Sequence, residues 1–393
     1  MDSSKMTFDD ILKSLPHLTE ECRKTRQTLL TNLVMTGEIP APTFAEDDRI
    51  EFLQRRIAEC QLENCSRDAA GNVVGILRGE DEQRNILVLA HTDTVIPETT
   101  DHTISLAADT ISGAGVADNS LGLAFLTTLP TFMDRLGIKL KSNIIIMATS
   151  RSLGRGNLEG LRFFLDNNRM PINAGLCVEG VQLGRLSMTS LGMLRGEISC
   201  TVSEEYDWSR FGTVNAILTL NEVINHVLEI PVPQRPRTSI VLGTISGGQS
   251  FNTIAKHAVL GFEIRSESDK EVSRIADEMH NITSEISLKT GSDVHLDIFA
   301  KRKAGGINFN HPLARSTRDI IQALDIPLRV APSTSELAAL IDHGIPAITT
   351  GITTAENINT ERETVYIEPM FKGCAQLLAL ILAIDGGFCD YDN

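Results

Sequence analysis

NILVLAHTDTV, residues 85–95, opens as a continuous apolar run and closes on His91, Thr92 and Asp93. A short apolar run without alternation marks a strand buried on both faces, as in a parallel sheet. Around it, helix-like and strand-like stretches follow one another. Helical spacing covers 7–35 and 44–62, separated by GEIPAP at 37–42. After the strand at 85–90 come a helix over 120–136, the very apolar strand 142–149, a helix over 158–168 and a strand over 174–179. This β-α-β-α rhythm predicts an α/β fold with a mostly parallel sheet and helices on both faces.

From 193 to 303 the rhythm changes. A strand at 193–203, a helix at 214–228, the break PVPQRP (231–236), strands at 238–245 and 257–265, a helix at 270–288 and a strand at 294–299 give the order β-α-β-β-α-β. The α/β pattern resumes at His311, with helices at 312–324, 333–343 and 369–385 and strands at 327–330 and 346–350. The expected organisation is a discontinuous α/β domain over 1–192 and 304–393, interrupted by an inserted α+β domain over 193–303.

With 393 residues, two domains are the natural expectation. A hydrophobic share of 42% and a charged share of 22% fit an ordinary globular protein. The formal charge of −15 repels phosphate backbones and anionic lipid heads, which argues against nucleic-acid and membrane-surface partners. The first residues, MDSSKMTFDD, carry no hydrophobic signal core, and no apolar run is expected to approach bilayer-spanning length, so a cytoplasmic protein is expected. The seven cysteines are scattered and form no C-x-x-C pair, so they are read as small buried apolar residues.

Chemistry concentrates at the ends of the predicted strands, where ligands gather in an open α/β sheet. His91 follows the strand at 85–90, and Asp93 can hold its second imidazole nitrogen. Asp118 lies in GAGVADNS (113–120), ahead of a helix, and Glu179 ends the strand at 174–179. A His, an Asp and a Glu so placed suit one divalent cation, zinc foremost, with a coordination position left open. Singly, each residue has a plainer reading: a hydrogen-bonded H-x-D pair, a helix-capping acid, a solvated strand end. Their shared order and strand-end placement favour the metal.

Across nearly its whole length the chain resembles the two-zinc aminoacylase and carboxypeptidase family, which includes peptidase T, acetylornithine deacetylase and succinyl-diaminopimelate desuccinylase. The resemblance rests on HTDTV (91–95), GAGVADNSLG (113–122), IIIMATSRSLGRGN (144–157), LCVEG (176–180), ISGGQSFNTIA (245–255) and HGIPAITTG (343–351). It implies that His91, Asp118 and Glu179 bind metal, that Asp93 orients His91, and that the inserted domain is a lid through which the chain dimerises. It also implies a small peptide or an N-acyl amino acid as ligand. The family's E-E-x-G turn, however, falls on Arg151-Ser152-Leu153-Gly154, so its general base is replaced by Arg151 and a second-zinc ligand by Ser152. The last zinc ligand, a histidine four residues before a glutamate, becomes Asn359 ahead of Glu363. Tyr206 stands where a lid histidine usually reaches the substrate, while Asn252 and Arg265 match lid residues that bind it. Ser333-Thr334-Ser335-Glu336 falls on a loop that lines the family's site, with its role open.

One metal site is therefore expected to be kept and the other lost, with the Arg151 guanidinium standing beside Asp118 in place of the second cation. An arginine accepts no proton at neutral pH, so weak or absent activity as a standard two-metal hydrolase is the leading expectation. Two alternatives stand beside it. One is an active one-metal peptidase or amidohydrolase using another base, with Glu356 or Glu361 as candidates. The other is a non-catalytic structural or regulatory homodimer, in which no metal binds and the same residues close into a hydrogen-bond network.

Overall fold

The computed structural model describes residues 6–60, 62–203 and 214–391. The chain divides into two compact units, Met1–Thr189 together with Gly306–Asn393, and Ser190–Gly305.

The first unit is mixed α/β. Its strands of four or more residues are β1 (Glu63–Arg67), β2 (Val73–Leu77), β3 (Asp81–His91), β4 (Thr110–Gly113), β5 (Ser142–Thr149) and β6 (Ala174–Val181), and, after the insertion, β11 (Ala347–Thr353) and β12 (Glu363–Tyr366). Six of them form one sheet in the order β1-β2-β5-β3-β6-β11. The β5, β3, β6 and β11 strands run parallel, while β2 is antiparallel to β5. All eight residues of β5 are buried, as expected of a central strand covered on both faces.

Alternation along the strands sends two sets of side chains to opposite faces. Ile86, Val88, Ile144, Ile146, Leu176 and Val178 join the larger core with α1 (Phe8–Lys24), α4 (Leu121–Leu136) and α10 (Ile367–Asp385). Leu87, Leu89, Ile145, Met147 and Cys177 face the other way, under α5 (Glu159–Asn167) and α9 (Leu337–Asp342). His91 and Glu179 continue this second set, each two residues beyond a member of it. Away from the large sheet, β4 pairs antiparallel with β12, which sets Gly113 opposite Glu363.

The second unit is a four-stranded antiparallel sheet in the order β8-β9-β7-β10, where β7 is Gly192–Thr201, β8 Thr238–Gly247, β9 His257–Ser266 and β10 Asp293–Arg302. Helices α6 (Ala216–Glu229) and α7 (Asp269–Thr290) complete its core through Leu220, Val223, Val272, Ile275 and Met279. The strand β8 lies at the sheet edge, with Val241 and Ile245 exposed.

Several expectations need correction. The helical stretch 7–35 is two helices, α1 and α2 (Arg26–Gly37), parted at Thr25, whose backbone (φ −92, ψ 6) leaves the helical region. Polar Thr25 bonds back to the end of α1, a break invisible to hydrophobic spacing. The helix read over 333–343 is only α9, preceded by a loop that carries Glu336. One helix among the described residues, α10, is at 19 residues long and apolar enough to span a bilayer, contrary to the expectation that no run approaches that length. Its apolar residues pack in the core.

Candidate metal centre

His91, at the end of β3, directs its Nε2 toward Asp118 Oδ1 at 3.0 Å and lies 3.9 Å from Glu179 Oε2. One donor atom from each of the three residues lies within 4.8 Å of the others, a spacing a single cation can bridge. The His91 Nδ1 donates to the backbone carbonyl of Asp93 at 2.9 Å, while the Asp93 carboxylate stands at 3.6 Å. The ring is therefore oriented mainly by the main chain of Asp93, leaving Nε2 facing the acids.

A layer of buried polar groups supports this row. Asp93 Oδ2 accepts from Thr43 Oγ1 and from the Leu153 N–H, each at 2.8 Å. Arg49, fully buried, donates to the carbonyls of Thr92 and Ile39. Burial draws its guanidinium down to about 10, against the opposing pull of Asp93 and Glu46. Asp118 sits in a distorted turn, Val116–Ser120, whose N–H groups point at Glu363. The Glu363 carboxylate accepts from Ala117 N at 2.8 Å, Asp118 N at 3.3 Å and Asn359 N at 2.8 Å. Asn119 clasps the neighbouring strand, donating to Val178 O and accepting from Gly180 N, both at 2.8 Å. Glu179 and Asp118 are thus tied through one side chain.

The charges of the three donors reflect their crowding. Burial alone would lower the His91 imidazole, but Asp118 and Asp93 more than offset it and hold it well above its usual value. Burial pushes the Glu179 carboxyl up to about 7, with Asp118 and Glu336 acting the same way against His91. Asp93 is held below the usual carboxylate value: burial raises it, and its bonds to His91, Leu153 and Thr43 prevail. A nitrogen and two carboxylate oxygens converging on one point fit a divalent ion.

The remaining candidates are distributed differently. Contrary to the expectation from sequence, Arg151 does not stand beside Asp118. Its side chain pairs with Glu159 at the start of α5 and lies 5.8 Å over the Phe44 ring. Its own N–H donates to the buried Glu46 at 2.8 Å, and its backbone adopts a left-handed φ of 52°. The turn fixes the main chain inward and sends the guanidinium outward. Ser152 is buried and shares a hydrogen bond with Thr149 Oγ1 at 3.2 Å. Asn359 is exposed, with a φ of 63°. Glu356 is exposed and accepts the Tyr366 hydroxyl at 2.6 Å, and Glu361 is exposed as well.

In the second unit, Arg265 is partly exposed and pairs with Glu263, which also binds Arg195. Asn252 is exposed and accepts from Ser250 Oγ at 3.0 Å. Tyr206 lies outside the described residues. Sequence reasoning missed Glu46, Arg49 and Asn119, and used Glu363 only to place Asn359. Their single visible signal was polarity close to the motifs, shared with many solvated residues.

Residues 72–151, which include His91 and Asp118, match the family model described as peptidase family M28. Residues 210–290 match the model described as a peptidase dimerisation domain. No curated protein matches the chain by sequence. Among solved structures, a tripeptidase from Staphylococcus aureus is 18% identical, covering 92% of this chain and 98% of its own, with a TM-score of 0.73. A dipeptidase from Saccharomyces cerevisiae is 10% identical over 95% of this chain and 98% of its own, with a TM-score of 0.77. A dinuclear metal-binding peptidase of the M20 family from Bacillus subtilis is 14% identical over 92% and 99%, at 0.64. The chain shares the fold of these peptidases, and two of its segments match peptidase family models.

Proposed function

We propose that the chain binds one divalent cation, zinc foremost, through His91, Asp118 and Glu179, and takes a small peptide or N-acyl amino acid beside it. The observation that carries this is the convergence of the three donor atoms within 4.8 Å. Activity as a standard two-metal hydrolase is weak or absent. In support, Ser152 and Asn359 offer no carboxylate or imidazole, and the Arg151 side chain is engaged with Glu159. Loss of a general base alone costs about 10²–10⁴-fold in rate. The Ser190–Gly305 unit serves as the contact between two copies, as the dimerisation-domain match and the exposed edge strand β8 suggest.

Elemental analysis of protein dialysed against zinc or manganese tests the cation, with an expected stoichiometry of one per chain that His91→Ala removes. A screen of dipeptides and N-acyl amino acids should then show turnover far below that of two-metal relatives. Two ions per chain, or rapid turnover lost in His91→Ala, would contradict the proposal. Sedimentation of the full chain reads the dimer directly.

A further inference from the structure

Six acids among the described residues are buried: Glu46, Asp93, Glu263, Glu336, Glu363 and Asp385. Five are satisfied. Glu46 takes the Arg151 N–H, Asp93 takes Thr43 and Leu153, and Glu363 takes three N–H groups. Glu263 takes two arginines, and Asp385 takes the Lys141 and Ser142 N–H groups. Glu336 differs. It is 2% exposed, and its Oε1 is buried with no hydrogen-bond partner. A buried carboxylate left unpaired is costly, so its persistence calls for a partner the polypeptide itself does not supply.

The fold shows where that partner belongs. Helix α9 covers the sheet face from which His91 and Glu179 project, since Leu337 and Leu340 pack with Leu87, Leu89 and Cys177. Leu340 lies directly over Gly175 at the start of β6: a Cβ there would meet its Cδ1 at 2.6 Å. Glu336 is one helical turn earlier, about 5.4 Å back. Two residues along β6 advance about 6.6 Å, from Gly175 to Cys177. Side chains tilt toward a helix N-terminus, which carries the carboxyl onward toward Glu179. Its charge accordingly acts on Cys177, Glu179 and His91.

We propose that Glu336 is a fourth acid of the metal centre, standing outside the three donor residues and paired by the charge of the cation. Its carboxylate is the one at this site not already engaged by a ligand position or a backbone N–H. The turn at Arg151 has lost its acids, and Glu336 supplies negative charge from a different element. Glu336 is a positioning residue for the cation, and the inference rests on the metal site proposed above.

The same charge has opposite consequences in the two states. Without metal, Glu336 repels Glu179; with metal, it attracts the ion. Glu336→Gln keeps the shape and removes the charge. Zinc affinity, read by competition with a chromogenic chelator on the full chain, should fall 10–100-fold, as for other groups behind metal ligands. The melting temperature of the same variant in EDTA should equal or exceed that of the unchanged protein. Unchanged zinc affinity would overturn the inference while leaving the three-residue site standing. Weakened affinity with a lower metal-free melting temperature would overturn it too, by making Glu336 a packing residue. An unsubstituted chain that binds no zinc would refute the metal site itself.

Discussion

At Arg151 one side chain separates two readings of the site. A guanidinium beside Asp118 would be costly to remove, because a buried carboxylate would lose its partner. A guanidinium on Glu159 at the surface is not. Both groups are more than a third exposed, so the ion pair contributes less than about 1 kcal/mol. Arg151→Ala should therefore change stability by under about 1 kcal/mol in urea and leave zinc affinity where it was. Glu179 allows a test of sign. Its folded carboxyl titrates at about 7, above the ordinary value of 4.5, so the metal-free fold is favoured at acidic pH and loses that advantage as pH rises through 7. His91, also raised, acts in the same direction. In EDTA the melting temperature should fall between pH 5 and 8, and saturating zinc should reduce that fall because the ion replaces the protons. A flat profile without metal would show that these groups are not crowded as described. The three donors were legible because strand ends and motif order fixed them. The direction of the Arg151 side chain was not, since a positive φ inside a turn leaves no trace in residue type.

Elements locate the donors more than loops do. Register between β3 and β6 pairs Leu89 with Cys177, so His91 and Glu179 emerge side by side two residues later. Asp118 has no strand of its own and depends on β12, whose Glu363 gathers three N–H groups from two segments. Glu363→Ala should destabilise the fold by about 1–3 kcal/mol, from loss of a buried acceptor, and weaken zinc binding through a loosened Asp118. Chemical denaturation and chelator competition measure the two effects separately. An unaltered zinc affinity would mean the turn holds its shape alone. Strand and helix existence could be read from hydrophobic spacing over most of the chain. The split at Thr25 and the short α9 could not, because both are decided by local backbone bonding. Glu336 could be placed on a site-lining loop by resemblance, but its burial and its missing partner could not be read from residue type.

At the scale of the whole molecule, chain order and spatial order differ. The first unit is assembled from segments more than a hundred residues apart, Met1–Thr189 and Gly306–Asn393. Its sheet takes β11 from after the insertion and sets it beside β6 from before it. The parallel sheet could be inferred from the β-α rhythm on either side, whereas no feature of sequence fixes which strands neighbour one another across the gap.

The Ile307 N–H donates to the Met188 carbonyl at 3.0 Å, so the chain leaves the first unit and re-enters it at almost the same point. Such a doorway makes the intervening stretch a removable cassette. Replacing 190–305 by a short glycine-containing hairpin should yield a polypeptide that melts cooperatively and retains helical circular dichroism. A molten product would mean that the host needs its guest in order to fold.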